Sequence, residues 1–215
     1  MISGVKEIIT DEVALSRRAV EIDTIHEGQL LREITKALKR TLSKTEGLYA
    51  LSAPAIGYQK RVFCIKFDKD DIKTFINPVI GERKGLELSR ETCSSIPGKE
   101  YIIPRNNDID VMYQRPTGQP EGRQLLGKAA MVFQHECDHL DGVIISDIGL
   151  EVLPGFDKAS KKVKNEIISE YLDSLDIKLS QVKKEIEEDP ELKQIVDAAN
   201  FISGVKSGEI KQTID

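Results

Sequence analysis

One stretch decides the fold, and it reads QHECDHLDG over residues 134–142. On a helix, His135 and His139 lie one turn apart on the same face, with Cβ atoms roughly 5–6 Å apart, so both imidazoles can reach one metal ion. Glu136 lies between them, close enough to act on a water at the metal without being a ligand. We predict that residues 125–140 form a helix that is buried on most faces and ends at Gly142. The stretch indicates metal-assisted hydrolysis; the alternative is a pair of core histidines on a buried helix.

A catalytic metal centre needs a third protein ligand and an open position. Of two familiar arrangements, one requires a histidine six positions after His139, where this chain has Ile145. The other requires a downstream glutamate, and neither Glu151 nor Glu166 has a distinctive context. Cys93, in a turn-like run that follows a predicted strand, is therefore the upstream candidate. A thiolate with two imidazoles suits zinc or iron(II). Taken alone, a cysteine in such a run is more often a small buried residue than a ligand.

The composition is that of an ordinary globular protein. The chain has 215 residues and a formal net charge of −5, which gives no reason to expect direct nucleic-acid binding. We find no apolar run long enough to span a bilayer and no signal-peptide core at the start, so we expect no membrane association. The three cysteines, Cys64, Cys93 and Cys137, are too few for a disulfide framework. We expect a cytoplasmic protein in which Cys64 and Cys137 are structural.

The remaining elements predict an α+β fold. Apolar residues at helical spacing predict a helix over residues 27–44, and β-branched and aromatic runs predict strands over 61–67, 74–76, 85–90 and 109–113. Beyond Pro154 and Gly155, a stripe on a charged background predicts a long amphipathic helix broken at Pro190, with a shorter helix over 191–202. The apolar residues of this stripe are Val163, Ile167, Tyr171, Leu175, Leu179, Val182 and Ile186. We therefore predict a metallohydrolase domain over residues 1–150 and a helical C-terminal extension over 151–215.

Three motifs in order give the chain a resemblance to the peptide deformylases. That family's motifs are usually written GxGLAAPQIG, EGCLS and QHExDHLxG. Here they read LYALSAPAIG over residues 48–57, ETCSS over 91–95 and QHECDHLDG over 134–142. The connecting segments FINPVI (75–80) and SIPG (95–98) are also similar, so the resemblance spans residues 2–148.

The resemblance implies antiparallel β-sheets around a central helix that bears the HExxH motif. It implies that Cys93, His135 and His139 bind one divalent metal, Fe(II) or Zn(II), with Ni or Co as alternatives. Glu136 would be the general base, and the backbone N–H of Ser94 would help to hold the oxyanion. The implied reaction removes the formyl group from the N-terminal formylmethionine of new polypeptides, and an N-formylmethionyl peptide is the implied substrate.

The chain departs from the family's motifs beside the substrate. Ala50 replaces a glycine and would narrow the loop next to the substrate backbone. Ala55 replaces the glutamine whose amide holds the oxyanion, and alanine cannot donate that hydrogen bond. Met131 and Val132, one turn before His135, are expected to line an apolar pocket for a methionine-like side chain; the equal alternative is that they are plain core.

These departures leave a second function open. The chain could be a deformylase-like protein with weak or no turnover that acts as a peptide-binding or regulatory module. Glu136 favours the enzyme, because a binder does not need a general base. A third interpretation, an ordinary HExxH endopeptidase, lacks an evident downstream ligand.

Two further expectations concern contacts. We predict an ion pair between Glu91 and Arg105 beside the site. We expect Asp138 to be a carboxylate that either supports the site from outside the ligand group, where ligand histidines usually find an acceptor for their free N–H, or takes part in helix packing. By analogy with bacterial family members, the C-terminal helix is expected to contact the ribosome near the peptide exit. The alternative is that its apolar stripe packs on the core or on another subunit.

Overall fold

A computed structural model describes the backbone of residues 5–188 and the side chains of residues 5–175. The chain divides into two compact units, Met1–Gly149 and Leu150–Asp215. The first unit contains all of the sequence motifs. The predicted helix over residues 191–202 lies outside the described residues.

The first unit is built on an antiparallel sheet in which each strand pairs with the next along the chain. Its strands are β1 (Ala50–Ser52), β2 (Val62–Asp68), β3 (Asp71–Cys93), β4 (Ile96–Gln114) and β5 (Pro120–Leu126). Its helices are α1 (Glu12–Leu15), α2 (Gly28–Lys44), α3 (Lys128–Leu140) and α4 (Ile145–Ile148). The predicted α+β fold with an antiparallel sheet is confirmed.

Strands β3 and β4 are far longer than the sequence predicted. They form one hairpin that absorbs the segments over 74–76, 85–90 and 109–113 as parts of 23- and 19-residue strands. The prediction of short separate strands is wrong because the register shifts between Ile76 and Val79, and again between Ile80 and Arg83, so that Pro78 is accommodated within β3. A further shift between Thr92 and Cys93 lies at the end of the hairpin.

The alternation of side chains along β2 assigns one helix to each face of the sheet. Val62 and Cys64 pack in a cluster with the buried face of α2, whereas Phe63 and Ile65 pack with α3. On the α3 side, the rings of Phe63, Phe75 and Phe133 meet with centroids 5.0–5.2 Å apart. The structural roles predicted for Cys64 and Cys137 are confirmed, since Cys64 is in the α2 cluster and Cys137 in the α3 cluster.

Helix α3 begins later than predicted. Leu125 and Leu126 belong to β5, where they pair with Ile109 and Asp108, and Gly127 turns the chain into the helix with a φ of 53°. Both leucines fit the helical apolar pattern, but they pair with β4 and therefore belong to a strand. The helix ends at Leu140, just before Gly142, whose φ is 74°.

The second unit contains the strand β6 (Leu150–Glu151), a 3-10 turn at Phe156–Lys158 and the helix α5 (Lys161–Glu188). On α5, Tyr171 and Leu175 are buried, while Val163 is exposed. None of the described helices is both long enough and apolar enough to cross a membrane.

Candidate metal centre

Gln134 fixes the rotation of helix α3 about its own axis. Its Nε2 donates to the backbone oxygen of Asn106 at 2.7 Å, and its Oε1 accepts from the Asn106 N–H at 3.1 Å. These two bonds tie α3 to β4. They direct the next residues, His135 and Glu136, toward one cavity, and His139 follows one turn later with its ring centroid 5.0 Å from that of His135.

Cys93 reaches the histidines from the end of β3. The register shift before it re-aims the chain, as such irregularities do beside active sites. Its Sγ lies 3.3 Å from His139 Nε2. Candidate ligand atoms of Cys93, His135 and His139 all lie within 4.8 Å of one another, close enough to hold one metal ion.

The chemistry of this donor set fits a divalent metal. Burial alone would raise the pKa of Cys93, but hydrogen bonds with His135 and His139 lower it to about 5. The thiolate is the form that binds metal. A thiolate and two imidazoles match Fe(II) and Zn(II) equally. The predicted group of Cys93, His135 and His139 is therefore brought together by the fold.

A carboxylate supports His135 from outside the group. Glu91 Oε2 accepts from His135 Nδ1 at 2.9 Å, which leaves the other ring nitrogen for the metal side. Glu91 also accepts two hydrogen bonds from Arg105, at 2.9 and 3.1 Å. Although burial opposes it, these bonds from His135 and Arg105 hold the pKa of Glu91 at about 2. Glu91 is thus an ionised acceptor fixed in place.

The Glu91–Arg105 ion pair predicted from the sequence is confirmed. Asp138 supports the site as a carboxylate behind the ligand group, as expected, but it does so through Arg105. Its Oδ2 accepts from Arg105 Nη1 at 2.5 Å, and the direct acceptor of His135 is Glu91. The sequence did contain a signal. Glu91 lies two positions before Cys93 in the chain, so a carboxylate close to the candidate cysteine was evident from the sequence.

Glu136 has the burial of a proton-transfer group. It is 4% exposed, and its Oε2 has no hydrogen-bond partner among the described residues. Burial raises the pKa of its carboxyl above the usual 4.5. A buried carboxyl with one unpaired oxygen, in the same cavity as the Cys93, His135 and His139 group, is suited to take and return a proton.

The ligand group opens on a cavity of about 470 Å³. Every other residue predicted to act at the site lines it: Ser94, Ala50, Ala55, Met131 and Val132. Met131 and Val132 are half-buried. Val132 also packs against the α3 cluster, so this residue contacts both the cavity and the core. At the rim, Lys128 Nζ lies 5.4 Å from the ring centroid of Tyr49.

An antiparallel sheet that presents a helical histidine pair, a facing cysteine and a buried glutamate to one cavity defines a class of protein. That class is the metal-dependent hydrolases.

Comparisons with known proteins give the family. The model of the polypeptide deformylase family matches residues 5–149. The chain is 33% identical over 137 residues to the peptide deformylase of Dictyoglomus thermophilum, covering 64% of this chain and 87% of that protein. It is 33% identical over 151 residues to that of Natranaerobius thermophilus, covering 69% and 95%. The crystal structure of the peptide deformylase from Thermotoga maritima superposes with a TM-score of 0.61 at 33% identity, covering 67% of this chain and 97% of that one. The chain belongs to the polypeptide deformylase family.

Proposed function

We propose that this chain removes the formyl group from the N-terminal formylmethionine of new polypeptides by metal-dependent hydrolysis. One observation carries the proposal: the group of Cys93, His135 and His139 shares a cavity with the buried, unpaired carboxyl of Glu136. Family membership supplies the substrate class.

The three ligand atoms would hold one divalent ion, Fe(II) or Zn(II), with Ni or Co also compatible with the donors. When bound, such an ion would polarise the formyl oxygen and lower the pKa of water toward about 7. Cys93 enters as a thiolate. Glu91 keeps the ring of His135 in one orientation through the 2.9 Å hydrogen bond at Nδ1.

Glu136 moves the proton. It accepts a proton from water while the water oxygen forms a bond to the formyl carbon. It then gives that proton to the amine nitrogen as the C–N bond breaks. One water is consumed, and formic acid and the N-terminal amine are released; at neutral pH the acid's proton passes to the amine, which leaves formate and an ammonium group. The raised pKa of Glu136 suits both proton transfers, because the carboxyl must act first as a base and then as an acid.

The walls of the cavity position the peptide. We assign the methionine side chain to Met131 and Val132, and the substrate backbone to the side of Ala50. The backbone N–H of Ser94 is assigned to the formyl oxygen. Ala55 contributes a wall and no side-chain hydrogen bond there.

The test is turnover by folded, metal-replete protein. Formate release from a formyl-Met tripeptide is measured after loading with Fe(II) under anaerobic conditions or with Zn(II), and the acetyl-Met tripeptide is the matched control. Formate release that a chelator abolishes supports the proposal. A metal-replete protein that binds the formyl peptide without releasing formate would instead be a peptide-binding module, and metal-dependent cleavage of casein would indicate an endopeptidase.

We also propose a cytoplasmic site of action and ribosome contact through α5. The three free cysteines suit a reducing compartment, and nascent chains are met at the peptide exit. A truncation before Lys158 tests the contact by co-sedimentation with ribosomes. Loss of co-sedimentation with retained activity on tripeptides supports it, whereas insolubility or a changed oligomeric state shows that α5 is structural.

A further inference from the structure

Ser52 ends strand β1 on the side of the sheet that carries α3. Leu51 belongs to the α2 cluster, whereas Ala50 packs at the margin of the α3 cluster. Residues two positions apart in a strand share a face, so Ser52 points the same way as Ala50. Its cross-strand partner Phe63 is a member of the α3 cluster. The hydroxyl therefore faces the cavity, which Ser52 lines together with Glu136.

This hydroxyl makes no hydrogen bond of ordinary length and angle within the described part of the chain. Ser52 is 0% exposed, and its Oγ has no partner there. A buried hydroxyl without a partner is costly. Three other buried hydroxyls share this state, those of Thr35, Ser95 and Ser146, but none of them lines the cavity. Ser52 is therefore the member of this set whose partner can be a bound ligand.

The reaction supplies a partner of the right chemistry. Negative charge builds on the formyl oxygen as water attacks, and a preorganised donor aimed at that oxygen accelerates the step. On the buried wall made by Leu51, Ser52 and Ala55, the Ser52 hydroxyl is the side-chain donor. It also lies in the same cavity as the reacting carboxyl, because Ser52 and Glu136 both line it.

We propose that Ser52 Oγ–H donates a hydrogen bond to the formyl oxygen of the substrate and supplies the side-chain donor that Ala55 lacks. Ser52 stands where the family's first motif has alanine, and Ala55 stands where it has glutamine. The side-chain donor that the family's motif has at position 55 is thus found at position 52 in this chain, on the same wall of the cavity. This inference rests on the proposed deformylase function.

The experiment is a double-mutant cycle between Ser52→Ala and Ala55→Gln, assayed on a formyl-Met tripeptide. We expect Ser52→Ala to lower kcat on the order of 10²-fold, as loss of one oxyanion donor does, with a much smaller change in KM and unchanged metal content. Ala55→Gln should raise kcat little in the wild-type background and by about 10-fold or more in the Ser52→Ala background. Ser146→Ala, which removes an unpaired hydroxyl away from the cavity, is the matched control and should leave kcat unchanged.

Several results would overturn the inference. Equal kcat for Ser52→Ala and the wild type removes the donor role. An Ala55→Gln effect that is the same in both backgrounds shows that the hydroxyl acts elsewhere, for example on Glu136. If the Ala55→Gln variants do not fold, the kcat values of the wild type and of Ser52→Ala are compared on a thioformyl peptide, whose sulfur accepts hydrogen bonds weakly. The ratio of the two kcat values should be smaller than on the formyl peptide, and an unchanged ratio contradicts the proposal. Absence of turnover by the wild type is a different result, because it removes the proposed function and this inference with it.

Discussion

Glu91 Oε2 lies 2.9 Å from His135 Nδ1, so the last carboxylate before Cys93 on the same strand holds the ring of a second ligand candidate. Strand β3 thereby contributes both Cys93 and the group that orients the histidine contributed by α3. A hydrogen bond of this kind fixes the tautomer of a ligand imidazole and increases its basicity.

We predict that Glu91→Gln weakens metal binding by about 10- to 100-fold, the usual effect of losing such a support. The amide can still hydrogen-bond but carries no charge to stabilise the ring. Competition with a chromogenic chelator measures the affinity. Glu82→Gln, which changes an exposed carboxylate paired with Lys84, is the control and should have no effect. An affinity for Glu91→Gln equal to that of the wild type would show that His135 does not need this acceptor.

Cys93→Ser should lose most of its metal, because an alcohol is a far poorer ligand than a thiolate whose pKa is about 5. Metal content after gel filtration measures this loss. Cys64→Ala serves as the control, since Cys64 is buried in the α2 cluster and should keep one metal per chain. Full metal content in Cys93→Ser would exclude Cys93 as a ligand.

Glu136→Gln should retain the metal and lose hydrolysis. The amide keeps the size of the side chain but cannot take the proton from water or return it to the amine. Metal content and formate release, measured on the same preparation, separate the two roles. Substantial turnover by this variant would mean that another group moves the proton.

Arg105→Ala should destabilise the fold by about 3–5 kcal/mol, because it leaves buried charge uncompensated. Arg105 is 5% exposed and bonds to both Glu91 and Asp138. Arg115 forms a comparable ion pair with Glu121 at the surface, and Arg115→Ala should cost no more than about 1 kcal/mol. Urea unfolding followed by circular dichroism gives both values. Similar losses for the two variants would contradict a structural role for the buried network.

The sequence predicted what depends on local periodicity. The spacing of His135 and His139 places them on one helical face wherever the helix packs, and the apolar pattern of α2 similarly predicts its buried side. The course of β3 and β4 could not be predicted in the same way, because their pairing joins residues far apart in sequence and Pro78 suggests a break. The same limit applies to the partner of Asp138: its neighbours along α3 are evident from the sequence, whereas its contact with Arg105 depends on how α3 lies against β4.

Cys93 and His139 are 46 positions apart along the chain, yet their ligand atoms are 3.3 Å apart. No short segment of this protein contains all three donors, because the cysteine lies in the β3–β4 hairpin and the histidines lie in α3, which follows that hairpin in the chain. If these three residues bind the ion as proposed, its full affinity would appear only after these long-range contacts exist. In a cell where free transition metals are scarce, a misfolded or half-made chain would compete poorly for the ion. Acquisition of the metal would thus act as a checkpoint on the maturation of the enzyme.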